Sequence, residues 1–161
     1  MHKAETLDPR CASIRNARSD DLAAVRTLLE RAGLPTAGVE AWLPHFLVAE
    51  HAGDVVAVAG LELYESSALL RSVAVRPDWQ GSGLGRQLVD RLLTKAQEGG
   101  TRDVYLLTTT ADHYFPRLGF ACIGREDVPA CVQGSVEFTR ACPASAVAMR
   151  KSLVDAGGPA G

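Results

Sequence analysis

Apolar residues along positions 22–29 recur with the spacing of one helix face. Leu22, Val25, Leu28 and Leu29 fall on a single side, three or four positions apart. Ser19 and Asp20 stand just before them and supply N-cap chemistry, while Gly33 and Pro35 close the run. The same period returns more strongly further on. Leu84, Leu88 and Leu92 come every fourth residue, Val89, Leu93 and Ala96 widen the stripe, and Gly99-Gly100 stops it. Elsewhere the pattern is that of strands. "SIRNA" (13–17) predicts a short one. "HFLVAEHAGDVVAVAGLELY" (45–64) predicts a hairpin turning near Ala52-Gly53-Asp54. "ALLRSVAV" (68–75) predicts a strand halted by Pro77, and "DVYLLTTT" (103–110) a continuous apolar strand buried on both faces. "ASAVAMRKSL" (144–153) reads as a last strand. "AGVEAW" (37–42) reads as a short helix or turn, and "ADHYFPRLGF" (111–120) as a short helix closed by Gly119. Strands interleaved with helices, no internal repeat and an early hairpin predict an α/β or α+β fold around a mixed sheet.

Length and composition narrow the function classes. At 161 residues and 47% apolar content the chain has material for one domain with a real core. Residues 13–153 are expected to form it, with 1–12 as a disordered leader and 154–161 as a flexible tail. A net charge of −2 with scattered basic residues gives no footprint for nucleic acid. No apolar run is long enough to cross a bilayer, and the first residues carry no apolar signal-peptide core, so a cytoplasmic location is expected. Cys11, Cys122, Cys131 and Cys142 form no C-x-x-C pair. Reduced structural thiols are the plain expectation; convergence of the last three on a soft metalloid is the sharper one. His45, His51 and His113 have no metal-ligand spacing, and no metal site is expected.

The chemistry concentrates in "RPDWQGSGLGRQLV" (76–89), where Gly81, Gly83 and Gly85 alternate between a strand and a helix start. Unpaired N–H groups of a first helical turn, together with the helix dipole, make an anion site. Glycine allows positive φ there and removes the Cβ that would hold a phosphate away. The loop is not a Walker A sequence, because Arg86-Gln87 follows Gly85 where Lys-Ser/Thr is required. Nor is it a dinucleotide fingerprint, since Arg86 stands in place of the third glycine and the next strand ends in threonines. A tight strand-to-helix turn without a ligand is the bland alternative.

The stretch from Val75 to Arg86 resembles the GNAT superfamily of acetyl-CoA-dependent N-acetyltransferases, whose loop Q/R-x-x-G-x-G/A is matched by Gln80, Gly83 and Gly85. "YFPRLGF" (114–120) resembles the family's second motif, and the order of elements from about 13 to 153 agrees. The resemblance implies a GNAT-like mixed, splayed central β-sheet flanked by helices, with acetyl-CoA as cosubstrate. It implies that Gln80, Gly81, Ser82, Gly83, Leu84, Gly85 and Arg86 hold the pyrophosphate. It further implies that Val73, Ala74 and Val75 pair with the pantetheine arm, and that Thr109 and Phe115 contact the cofactor. A backbone N–H of Val73 or Val75 would polarise the thioester carbonyl. "LLTTTADHYFPRLGF" and "CPASAVAMRKSL" are similar to the acetyltransferases associated with arsenic-resistance loci and to the catalytic domain of amino-acid N-acetyltransferases. That narrower likeness points to an amino-acid-like amine acceptor, glutamate-like or organoarsenical. Its expected partners are therefore small molecules, with no nucleic acid and no membrane, and a homodimer is the assembly compatible with it.

Acetyl transfer to an amine asks chiefly for positioning. An α-amino group has an ordinary pKa of about 7.7–8.0, so much of it is neutral near pH 7.5. In the wider family a tyrosine four residues before the motif glycine serves as general acid. Here that position is Phe115, and its neighbour Tyr114, turned by about 100° on a helix, is the candidate acid; a packing role is the alternative. Glu62 is the candidate base through water, with Glu65 behind it, although alternation with Leu61 and Leu63 equally suits a solvated strand face. Arg71 sits in an otherwise apolar strand and, by alternation, on the face of Val73 and Val75. A buried arginine needs an anion: either the acceptor's carboxylate or an internal acid such as Glu62 or Glu65. Ser72 faces the other way and is a lesser acceptor-binding candidate. Ser145 matches a substrate-binding serine of the amino-acid acetyltransferases, but Pro143 replaces the basic residue two positions before it. Two other classes stay open: a non-catalytic acyl-CoA-binding module, and a cysteine-based metalloid-binding protein.

Overall fold

A computed structural model describes residues 11–109, 114–138 and 146–154. The expected leader (apart from Cys11 and Ala12), all of the expected tail but Val154, and the candidates His113, Cys142 and Ser145 lie outside them. Among the described residues, seven strands and five α-helices follow one another as β1 (Ser13–Asn16), α1 (Leu22–Arg31), α2 (Val39–Trp42), β2 (Phe46–His51), β3 (Asp54–Tyr64), β4 (Ser67–Val75), α3 (Leu84–Glu98), β5 (Asp103–Thr108), α4 (Tyr114–Arg117), β6 (Ala121–Ile123), α5 (Ala130–Gln133) and β7 (Val147–Ser152). The strands form one mixed sheet of order β1-β2-β3-β4-β5-β7-β6. β1–β2, β2–β3, β5–β7 and β6–β7 are antiparallel, and β4 and β5 are parallel over Ser67–Leu69. No helix among the described residues is long and apolar enough to cross a membrane.

The β2–β3 hairpin turns where the sequence places it. Ala52 and Gly53 both take positive φ, 53° and 85°, the pair of values whose twist matches that of the flanking strands. Opposite Phe46 in the register stands Gly60. Any side chain there would collide with the Phe46 ring, which is wholly buried. The start of α1 differs from expectation. Ser19–Asp21 form a 3₁₀ turn ahead of the helix, and Asp21 stands at the N-cap position of α1 without a side-chain bond into the helix, closing back on the turn instead. Its Oδ2 accepts the Arg18 N–H at 2.7 Å, and both its oxygens accept from Arg15, at 2.7 and 2.9 Å.

The chain divides into two compact units. The first holds the described residues up to Gly60 together with Ser72–Leu92. Its core gathers Val25, Leu28 and Leu29 of α1 with Val39, Leu43, Phe46, Val48, Val58 and Ala74. The second holds Leu61–Arg71 and the described residues from Leu93 onward. Leu69, Tyr105, Val128, Val132 and Ala148 form a core there. The leucine stripe of α3 is buried along its whole length, Leu84, Leu88, Val89, Leu92, Leu93 and Ala96 alike.

Three strand expectations are corrected. Glu62 does not lie on a solvated face: it is fully buried, whereas its neighbour Leu63 is 36% exposed. β5 is buried only over Val104–Leu106, its ends being half-covered. The alternation assumed from Arg71 to Val73 and Val75 is interrupted, because Ser72 takes a left-handed φ of 61° in mid-strand. For a residue with a Cβ that conformation costs about 1–2 kcal/mol, and it breaks the period of two on which the assignment of faces rests. Strand β6 and helix α5 carry no periodic signature long enough to be predicted.

Candidate functional site

β4 leads into a 3₁₀ turn at Pro77–Trp79, then Gln80–Gly83, then α3. Gly81 and Gly83 have φ of 84° and 89°, and a Cβ at either would meet nothing within 4 Å. Glycine is therefore required by the backbone conformation, and open space lies over both positions. The first i→i−4 bond of the helix runs from the Gln87 N–H to the Gly83 carbonyl at 3.1 Å. The N–H groups of Gly85 and Arg86, ahead of it, have no carbonyl acceptor inside the helix. Ser82 braces the turn: its hydroxyl donates to the Trp79 carbonyl at 2.6 Å and accepts from the Leu84 N–H at 3.3 Å. The Gln80 amide donates to the Val75 carbonyl at 3.0 Å, which ties the loop to the strand end. Arg86 is exposed and pairs with Asp90 only at 3.7 Å, so it is available to an anion. These residues fit a diphosphate: a bare backbone concavity, a helix N-terminus and an exposed cation.

The loop is anchored from below by contacts within the same unit. The Arg76 N–H donates to the Val56 carbonyl at 2.8 Å, and its guanidinium grips Asp78 with two bonds of 2.7 and 2.9 Å. Those bonds hold the Asp78 carboxyl below the usual carboxylate range. Trp79, 1% exposed, packs edge-on against His51 with centroids 5.1 Å apart. The end of the β2–β3 hairpin thus fixes the height at which the glycines stand.

A second polar cluster lies in the other unit. The Glu62 carboxylate accepts from Arg71 Nη1 at 2.7 Å on one oxygen and from the Tyr64 hydroxyl at 2.5 Å on the other. Arg71 Nη2 meets Glu137 Oε2 at 3.2 Å. The side chains of Glu62 and Arg71 are fully buried, and that of Glu137 is 6% exposed. Burial, and the hydrogen bond to Glu62, push the Tyr64 phenol well above its ordinary pKa, while a hydrogen bond with Ser135 pulls the other way. Arg71 therefore takes the internal-acid pairing that the sequence had left open, with Glu62 as foreseen and with Glu137, which sequence reading missed. No local pattern marks Glu137; only burial of an arginine asks for more than one anion.

The remaining candidates are placed as follows. Val73 and Val75 are half-buried, and Ala74 packs into the first core. Tyr114, at the start of α4, is 37% exposed and stacks edge-on against Phe115, which does the same against Phe120. Thr109 is exposed just past the end of β5. Glu65 takes a positive φ of 54° in the β3–β4 turn. Cys11, Cys122 and Cys131 are free and exposed, and among the described residues no group of three potential ligands is placed to hold a metal ion.

Residues 43–122 match the profile of an acetyltransferase (GNAT) domain. An uncharacterised N-acetyltransferase of Chlorobaculum tepidum is 32% identical over 124 residues, spanning 72% of this chain and 79% of that protein. The chain belongs to the GNAT acetyltransferase family. Among its GNAT relatives, the amino-acid acetyltransferase of Pseudomonas putida GB-1 is 31% identical over 104 residues, 63% of this chain. The matched region is only 24% of that protein's length. In fold, this GNAT chain is similar to N-acetylglutamate synthase from Neisseria gonorrhoeae complexed with coenzyme A and N-acetyl-glutamate. The TM-score is 0.76 at 22% identity, over 89% of this chain and 35% of that one. Rv2747 from Mycobacterium tuberculosis, in complex with CoA and NLQ, aligns with a TM-score of 0.74 at 26% identity, over 88% of this chain and 99% of that one.

Proposed function

We propose that this chain is an acetyl-CoA-dependent N-acetyltransferase whose acceptor is the amine of a small amino-acid-like molecule. The observation that carries the cofactor half is the Gly81–Arg86 turn, with two positive-φ glycines under open space at a helix start. Acetyl-CoA is the cosubstrate: its pyrophosphate takes the N–H groups of Gly83–Arg86, and Arg86 adds a charge. Val73 and Val75 offer strand backbone to the pantetheine arm and a donor to the thioester oxygen. The acceptor half is supported by the likeness to amino-acid acetyltransferases and by Arg71, the one charged residue of its strand. In this reading Arg71 binds the acceptor's carboxylate, and Ser72 and Ser145 are further candidates for holding the acceptor. Glutamate-like compounds and an organoarsenical analogue are the acceptors to try first. Glu62, saturated by Arg71 and Tyr64 and without solvent exposure, acts as a base only through a relay. That relay would carry away the proton of the acceptor's ammonium, which the acceptor's own carboxylate makes harder to lose than that of a chain terminus. Tyr114 is the candidate acid for the departing thiolate.

The test is CoA release from acetyl-CoA across a panel of amines, beside calorimetric titration with CoA. Carboxylate-bearing acceptors should be turned over. Arg71→Ala should raise their KM by about tenfold or more, the size of a lost charged hydrogen bond. Gly83→Val should weaken CoA binding at least tenfold. Saturable CoA binding with no turnover of any amine would favour a regulatory acyl-CoA-binding module instead.

A further inference from the structure

Arg71 is gripped unequally. Glu62 comes from the middle of strand β3 and makes the short bond, 2.7 Å to Nη1. Glu137 comes from the helical stretch at 136–138, after α5, and stands at 3.2 Å from Nη2. Of the three side chains only that of Glu137 touches solvent, at 6% against none for the other two. Glu62 is also held on its second oxygen by Tyr64, so it cannot leave without breaking two charged contacts. Glu137 thus lies on the outer side of the guanidinium, by the longer contact.

We propose that Glu137 is an internal stand-in for the acceptor's carboxylate: it fills the outer position on Arg71 and yields that position when a carboxylate-bearing acceptor arrives. This deepens the acceptor reading above and rests on it. The chemistry is an exchange of one carboxylate for another on a buried guanidinium. The arginine is never left bare, which would be the costly state. The exchange also sets specificity. An acceptor without a carboxylate cannot displace Glu137, because it would strand both charges.

Glu137→Gln keeps the size and one acceptor oxygen while removing the charge. In this variant the KM for carboxylate-bearing acceptors should fall about tenfold with kcat unchanged, and the KM for acetyl-CoA and for acceptors lacking a carboxylate should stay put. Independently of turnover, sodium glutamate should raise the melting temperature of Glu137→Gln by several degrees more than that of the wild type, relative to sodium chloride of equal strength. An unchanged or raised KM, an equal glutamate effect in both proteins, or a Glu137→Gln chain that does not fold would each overturn the proposal and leave Glu137 a structural clip. If the wild type acetylates no amine at all, the acetyltransferase reading fails on that result, and the melting comparison still decides whether Arg71 accepts a carboxylate in place of Glu137.

Discussion

Tyr64 shows how much of this molecule's chemistry is settled one side chain at a time. Its hydroxyl is buried against the Glu62 carboxylate, and both burial and that bond disfavour the phenolate. A phenol whose pKa is raised on folding contributes stability that is complete below the unfolded value of about 10 and is lost as pH rises above it. Tyr105 is raised too, by burial first and then by Asp103. Absorbance titration of the chain's three tyrosines should therefore show ionisation delayed past that of free phenol, with Tyr64→Phe removing one late step. A single step near pH 10 involving all three would contradict the cluster. Gly60 and Ser72 are also residue-scale features. One has no Cβ because Phe46 occupies the space, and the other accepts left-handed strain where β4 changes the direction of its side chains.

At the scale of elements, the 3₁₀ turn that leads into α1 is held by Asp21. The side chain is nearly buried and accepts three charged or backbone hydrogen bonds, from Arg15 twice and from the Arg18 N–H. The Arg15 bond is the main cause that lowers its pKa. A depressed carboxylate contributes stability above its unfolded pKa of about 3.9 and loses it as pH falls through the folded value. Asp21→Asn should thus cost about 1–2 kcal/mol at neutral pH. In denaturant titrations the gap from wild type should close below about pH 4; a gap that is constant down to pH 3 would mean the charge is irrelevant. Helix α3 is the contrasting case. Its register is secured by six buried apolar residues, so the loop that precedes it is free to keep strained, open glycines.

For the whole molecule, a ligand seated on the native loop alone must raise stability by mass action. At about one hundred times its dissociation constant, CoA should add about 2.7 kcal/mol and shift the melting curve upward. Dephospho- and full CoA should do so through the same loop, and Gly83→Val should abolish the shift. Valine is strained at the positive φ of Gly83, so the melting temperature without ligand should fall, and it is the missing CoA shift above that lower baseline that separates a binding defect from a folding defect.

The sequence alone determined what depends on nearest neighbours. Leu84, Leu88 and Leu92 announce α3 because the helix period brings every fourth residue to one face. Ala52-Gly53 announces the hairpin because few residues tolerate positive φ there. Gly81 and Gly83 announce the turn into α3, the proposed cofactor loop, because the positive φ they take is one that residues with a Cβ rarely adopt. Tertiary structure alone decided which way Glu62 points, because a strand's two faces are equivalent until something packs on one of them. It also decided which anion answers Arg71. Glu137 lies far along the chain, and a charge pair formed by packing leaves no mark on local spacing. Asp21, rather than Ser19 or Asp20, braces the turn before α1 for the same reason: Arg15, on a neighbouring element, supplies the second half of its bonding.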